Sequence, residues 1–260
     1  MDRITVRGLN VRETETGDYD KIITLVTHEM GKITVTGKGV KSLKSKHVVA
    51  CQPFAYSTFV LKKSKKFWYI EESENIECFY GLRGDLERLS LAAYVCDVLA
   101  DVSVENMADP EPLRLALNIL YAISRHKDVP LLQIKSAFEI RLSAECGFCP
   151  DLSGCDVCRE DVKGDVYLDV MNGRLLCPEC KPRAEKEEAL IEGTARLYYI
   201  LSQDVLSAMR YIISCPQNKV LSFSLDGDGL YLLGKVCEGY LLNHLEHTFN
   251  TLDFYKSILI

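Results

Sequence analysis

From Ile4 to about Cys78, apolar and polar positions alternate in short runs rich in Val, Ile, Thr and aromatic residues, with turn-forming residues between them. That is the pattern of strands that bury one face. Lys21–Thr27 (KIITLVT) and Lys32–Thr36 (KITVT) flank His28-Glu29-Met30-Gly31, a reversal in which Gly31 can take a positive φ, and a hairpin is predicted. Phe54–Leu61 and Phe67–Ile70 flank Lys62-Lys63-Ser64-Lys65-Lys66, a run suited to an exposed loop between two further strands. Roughly five strands in about 80 residues fit a small barrel.

After Gly81 and Gly84 the period changes. Leu86, Leu89, Ala93, Cys96, Val98 and Leu99 recur mostly at three- and four-residue steps, which predicts a helix. Asp109 with Pro110 and Pro112 opens a second helix through Leu113, Leu117, Leu120 and Ile123, and Pro130 precedes a third through Ile134, Phe138 and Leu142. Thr194–Ile213 reads as a fourth, and Lys235–Ile260 as helical with boundaries left open by Gly239 and Thr251-Leu252-Asp253. Between Cys146 and Pro182 the helical period gives way to glycine, cysteine and turn residues, the mark of an insertion. The predicted class is α+β: a β domain at residues 1–80, then a helical domain at residues 81–260 with an insertion at about 146–182.

Composition narrows the setting. Eleven cysteines, an odd count, with no apolar leader in Met1–Asn10, argue for reduced thiols and a cytosolic compartment rather than a disulfide framework. No apolar run approaches a membrane span. The net charge of −6 hides a division: residues 1–70 hold 13 Lys and Arg against 6 Asp and Glu, and the remainder 18 against 31. A polyanionic partner is therefore expected for the first part only.

Cys155 and Cys158 (CDVC), eighteen residues, then Cys177 and Cys180 (CPEC) have the spacing of a four-cysteine zinc site. Two such pairs can close a tetrahedron around one ion, leaving no open position, so the expected cofactor is one structural Zn2+. Val166, Leu168 and Val170 alternate between the pairs, and Asn172-Gly173 predicts a type I′ turn that would bring them together. Buried free thiols are the alternative. A third pair, Cys146 and Cys149 (CGFC), could compete as ligands or as a redox motif, although Pro150 and the lack of a βαβ pattern weaken the latter.

Between Glu29 and Glu71 no acidic residue occurs, while Lys32, Lys38, Lys41, Lys44, Lys46, Lys62, Lys63, Lys65 and Lys66 do. Phosphates would neutralise such a surface, releasing counterions. Phe54, Tyr56, Phe59, Phe67, Trp68 and Tyr69 lie among the lysines, and those facing outward could stack on bases. The alternative is a solvated lysine surface over an aromatic core. Gly37-Lys38-Gly39 lacks the rest of a phosphate loop, and Asp226-Gly227-Asp228-Gly229 reads as a tight turn rather than a calcium loop. No catalytic constellation is visible, so no enzymatic activity is expected.

Several stretches, taken in order, resemble the bacterial RecO family: Gly17-Asp18, Thr27 with Gly31-Lys32-Ile33, Gly37-Lys38-Gly39-Val40-Lys41 leading to Ser45, and Gln52-Pro53-Phe54. Leu91–Leu99, Gly147-Phe148 with Pro150 and Leu152, and the adjoining cysteine pairs extend the likeness over nearly the whole chain. The resemblance implies an N-terminal OB-fold barrel, a helical domain with a zinc-finger insertion, and a recombinational repair mediator at the nucleoid. Such a mediator binds single-stranded DNA, with duplex DNA as a further candidate, anneals complementary strands, works with RecR, contacts the C-terminal tail of single-strand-binding protein and helps load RecA. Phosphate contacts would then fall to Lys38, Lys41, Lys44, Lys46, Lys62, Lys63, Lys65 and Lys66, with Arg7 and Arg12 as additions. Partner contacts could involve Arg114, Arg125 or Arg141. A zinc-ribbon transcription or RNA-binding factor, a zinc enzyme acting on nucleic acid and an adaptor that binds only proteins are the competing readings.

Overall fold

The computed structural model describes residues 3–42, 44–188 and 196–259. Contacts divide the chain into two compact units, Met1–Lys127 with Phe249–Ile260, and Asp128–Thr248. The first unit begins with β1 (Arg3–Thr16), β2 (Asp20–Thr27), β3 (Gly31–Gly37), β4 (Tyr56–Ser64) and β5 (Phe67–Glu77), closed in the order β1-β2-β3-β5-β4. All neighbours are antiparallel except β3 and β5, whose parallel contact, Val35 to Trp68 and Thr36 to Tyr69, completes an OB-like barrel.

The alternation seen in the sequence fills this barrel. Val6, Ile23, Leu25, Ile33, Val35, Phe59 and Leu61 point inward and are buried, with Val40, Ala50 and Cys51 closing one side from the segment between β3 and β4. That segment carries several of the lysines, and it is tied down at several points. Lys41 N–H donates to Tyr19 O at 3.1 Å, Gly39 N–H to Asp20 Oδ1 at 2.8 Å, and the buried Asn10 Nδ2 to Gln52 O at 2.9 Å. The β2–β3 hairpin forms as predicted, with Gly31 at φ +63. Gly31 is required for a second reason: a Cβ there would lie 2.0 Å from Met107 O.

Helices α1 (Leu86–Val102) and α2 (Pro110–Arg125) belong with the barrel rather than with the later helices. Asp85 caps α1 by accepting from Glu87 N–H and Arg88 N–H, and Asp109 caps α2 by accepting from Glu111 N–H. The change from strand to helix read near residue 80 is thus a change of secondary structure inside one packed unit. The last helix of the chain also joins this unit.

The second unit contains α3 (Leu131–Glu145), β6 (Asp151–Cys155), β7 (Val166–Asp169), β8 (Arg174–Leu176), α4 (Lys181–Glu188), β9 (Tyr198–Leu201), α5 (Gln203–Ser214) and α6 (Gly227–Leu245). α7 (Asn250–Ser257) is the returning helix, packed on α1. Helix α3 is central: even Lys135 and Glu139 are buried, bridged at 2.8 Å, and Lys135 also reaches Glu238 at 2.8 Å.

Two sequence expectations are corrected here. The helix read over Thr194–Ile213 is a strand followed by a helix: Tyr198–Leu201 pairs with β7, Leu201 opposite Val166 and Tyr199 opposite Leu168, before α5 begins. Residues 194 and 195 lie outside the described residues. Tyr-Tyr-Ile-Leu has strand-forming side chains, and an available sheet edge outweighs local helical period. Asp226-Gly227-Asp228-Gly229 is not an isolated turn but the start of α6, where Asp226 Oδ1 accepts from Gly229 N–H at 2.7 Å. Among the described residues no helix is long and apolar enough to cross a membrane.

Candidate metal centre and nucleic-acid interface

The insertion folds as a four-stranded sheet in the order β6-β8-β7-β9, and it brings the two cysteine pairs together. Cys155 ends β6; its N–H donates to Glu160 O at 3.0 Å and its carbonyl accepts from Arg159 N–H at 2.8 Å, with Arg159 at φ +64. This tight knuckle turns Cys158 back toward Cys155. Cys177 follows β8, and Cys180 N–H donates to Cys177 O at 3.1 Å just before α4, forming the second knuckle. The β7–β8 connection differs from the predicted type I′ turn. Only Gly173 has a positive φ, +61; Asn172 does not, because its side chain and N–H are held by the Asp169 carboxylate at 2.8 and 3.3 Å.

The four sulfurs of Cys155, Cys158, Cys177 and Cys180 lie within 4.8 Å of one another. Four sulfurs at about 2.3 Å from one zinc would be about 3.8 Å apart, so the cluster fits the ion after a small contraction. Burial opposes charge at Cys155, yet the N–H groups of Cys158, Cys177 and Val157 directed at its sulfur outweigh it and bring the thiol down to about 6. Cys177 N–H lies 3.4 Å from that sulfur. Burial pushes the Cys177 thiol up to about 12. Four thiolates this close repel one another, so closing the cluster as four needs positive charge at its centre. Cys146 and Cys149 are outside this group.

A lysine that sequence reasoning missed locks the second knuckle. Lys181, next to Cys180, places Nζ 4.9 Å from the Tyr167 ring centre and 4.7 Å from that of Tyr198, with Glu185 at 2.6 Å. It pins α4 to β7 and β9. Arg174 acts similarly on the other side, bridging Asp156 at 3.0 Å and the buried Asp169 at 3.2 Å.

In the barrel, the predicted phosphate-binding residues fall into three groups. Arg7, Arg12 and Lys41 have carboxylate partners: Glu29 at 3.2 Å, Asp97 at 2.6 Å and Glu15 at 2.8 Å. Lys38 and Lys63 lie over aromatic rings, Nζ being 4.9 Å from the centre of Tyr69 and 5.3 Å from that of Trp68. Lys44, Lys46, Lys65 and Lys66 are exposed, and Lys62 stands on β4 opposite Tyr69. Neither of these last two groups forms an ion pair among the described residues. The window without acidic residues is thus slightly less uncompensated than it reads, since Glu15, from outside it, pairs with Lys41. The three carboxylate pairs are each worth under about 1 kcal/mol at an exposed surface, so a phosphate can displace them. Lys32 is committed elsewhere, donating to Ala100 O at 2.8 Å.

The aromatics divide by strand parity. Phe59 is fully buried and cannot carry a base as the sequence allowed, while Trp68 is partly buried and packs against the core with Lys63 over its ring. Phe67 is 62% exposed and Tyr69 half-buried on the outward face. Of the arginines considered for partner contacts, Arg141 is committed: Nη1 donates to the carbonyls of Ile212, Ile213 and Cys215 at 2.7 to 3.1 Å, capping α5.

Comparison with known proteins covers both units. The model for the recombination protein O N terminus matches residues 1–79, and that for its C terminus residues 83–253. A DNA repair protein RecO of Acetivibrio thermocellus is 34% identical over 258 residues, 99% of this chain and 98% of the relative. Proteins of the same name from Alkaliphilus metalliredigens and a Thermoanaerobacter species are 29% and 28% identical, each covering at least 98% of both chains.

Proposed function

The chain belongs to the recombination protein O family, and from that premise we propose that it is a DNA repair protein that holds single strands on the basic end of its barrel and anneals complementary ones. The observation that carries this reading is the set Lys38, Lys44, Lys46, Lys62, Lys63, Lys65 and Lys66, seven cations on one barrel with no carboxylate partner among the described residues. Such a surface screens the repulsion between two phosphate backbones while leaving base edges free to pair. No bond is made or broken by the protein, so annealing needs no catalytic group.

The finer reading follows the family resemblance: cooperation with RecR, contact with the tail of single-strand-binding protein, help in loading RecA, and action in the cytoplasm on nucleoid DNA. Zinc, when bound to Cys155, Cys158, Cys177 and Cys180, would supply the charge that holds four thiolates together. The chain's own contribution is the sheet that positions them and the Lys181 clamp beside them. A structural role is assigned because four sulfurs fill a tetrahedral ion.

Mixing complementary single strands with the purified full chain and following duplex formation, with and without single-strand-binding protein, tests the proposal. Faster pairing of naked strands supports annealing, and faster pairing of coated strands supports the partner. Spontaneous rates in both arms would refute the reading.

A further inference from the structure

We propose that Phe67 and Tyr69 form a two-ring platform on which consecutive unpaired bases stack, making the barrel selective for extended single strands; the inference rests on the basic-face reading above. The two residues alternate on β5 with Trp68 and Ile70, which pack against the core, so both rings stand on the outer surface. Opposite Phe67 on β4 is Ser64, too small to cover the ring, and Phe67 remains 62% exposed. A large apolar ring left open at the tip of a hairpin bearing Lys62, Lys63, Lys65 and Lys66 is poorly explained by packing, since nothing among the described residues buries it.

Tyr69 continues the platform between two cations. Lys62 is its direct neighbour across β4, and Thr36 its neighbour across β3. Lys38 Nζ sits 4.9 Å from the ring centre. A base laid on Tyr69 displaces that ammonium by a short swing onto the phosphate of the same nucleotide, so one weak cation–ring contact is exchanged for a stack and a charge pair.

Spacing sets the selectivity. Residues two apart on a strand are separated by about 7 Å, whereas stacked bases in duplex DNA rise about 3.4 Å per step. Neighbouring bases can therefore reach both rings only when their own stack has been opened and the backbone extended. A base held by one face keeps its pairing edge turned outward, which is the geometry a strand needs to sample a complement.

The test uses the full chain with two probes of equal length, oligo-dT and an abasic oligomer with the same phosphates. The variants are Phe67→Leu, Tyr69→Leu and the conservative Phe67→Trp, each checked for an unchanged melting curve. Each Leu variant should lose about 5- to 150-fold in affinity for oligo-dT. It should lose nothing on the abasic strand and keep the same salt dependence, and Phe67→Trp should bind oligo-dT as well as wild type. Equal losses on both probes, or no loss on oligo-dT, would overturn the platform. Wild-type protein that binds both probes equally, with steep salt dependence, would remove the platform and leave the basic face standing. Failure to bind either probe would remove both.

Discussion

Neutralising the β4–β5 hairpin offers a quantitative test of how the barrel holds DNA. The variant carries Lys62→Gln, Lys63→Gln, Lys65→Gln and Lys66→Gln, four of the seven lysines that have no carboxylate partner among the described residues. For single strands each neutralised phosphate contributes about 0.7 to the slope of log affinity against log salt. If all seven engage, wild type has a slope near −5 and loses roughly a thousandfold in affinity between 50 and 200 mM salt. With three remaining, the slope should fall to about −2 and the loss to roughly twentyfold over the same range. Fluorescence anisotropy of a labelled oligonucleotide at five or six salt concentrations measures both. The hairpin is exposed and Lys63 alone touches a core-facing ring, so the fold should be unaffected. A variant with weaker binding but the wild-type slope would refute the reasoning, because the lysines would then be acting through something other than phosphate neutralisation.

Three further outcomes are expected. The purified chain should contain one zinc by elemental analysis, and Cys177→Ser should lose it and lower the thermal stability of the second unit, in which metal binding is worth on the order of 10 kcal/mol in comparable small sites; full stability without metal would count against a structural ion. His47 is 8% exposed, hydrogen-bonded to Ser73 at 2.8 Å, and its pKa is lowered by burial and then by Lys46. A histidine depressed in the folded state favours folding above its unfolded pKa and loses that contribution as pH falls from there through the folded value. Urea melts at pH 7.5 and 5.5 should therefore show a larger loss for wild type than for His47→Gln, and equal losses would show that the ring is free to protonate. Finally, Gly31→Ala should destabilise the first unit by at least about 2 kcal/mol, from a left-handed backbone plus contact with Met107 O, while Gly17→Ala, at φ +58 with nothing within 4 Å, should cost about 1 kcal/mol.

Local pattern alone determined much of this protein. Alternation with period two requires one buried face, so the barrel strands and the β2–β3 hairpin could be read directly, as could the helices that Asp85, Asp109 and Pro130 introduce. Paired cysteines at two-residue gaps announced the four-cysteine cluster, because knuckle geometry is a short-range property. Three things waited for the tertiary structure. Tyr198–Leu201 became a strand only because β7 had an edge to offer, and local period cannot weigh a partner thirty residues away. Lys41 found Glu15, so the uncompensated charge was smaller than the acid-free window implied, and Arg12, outside that window, found Asp97; ion pairing depends on distance in space, which sequence separation does not measure. The sorting of the aromatics was the last: the register of β4 against β5 turned Phe59 and Trp68 inward and Phe67 and Tyr69 outward, and a shift of one residue would have exchanged those roles.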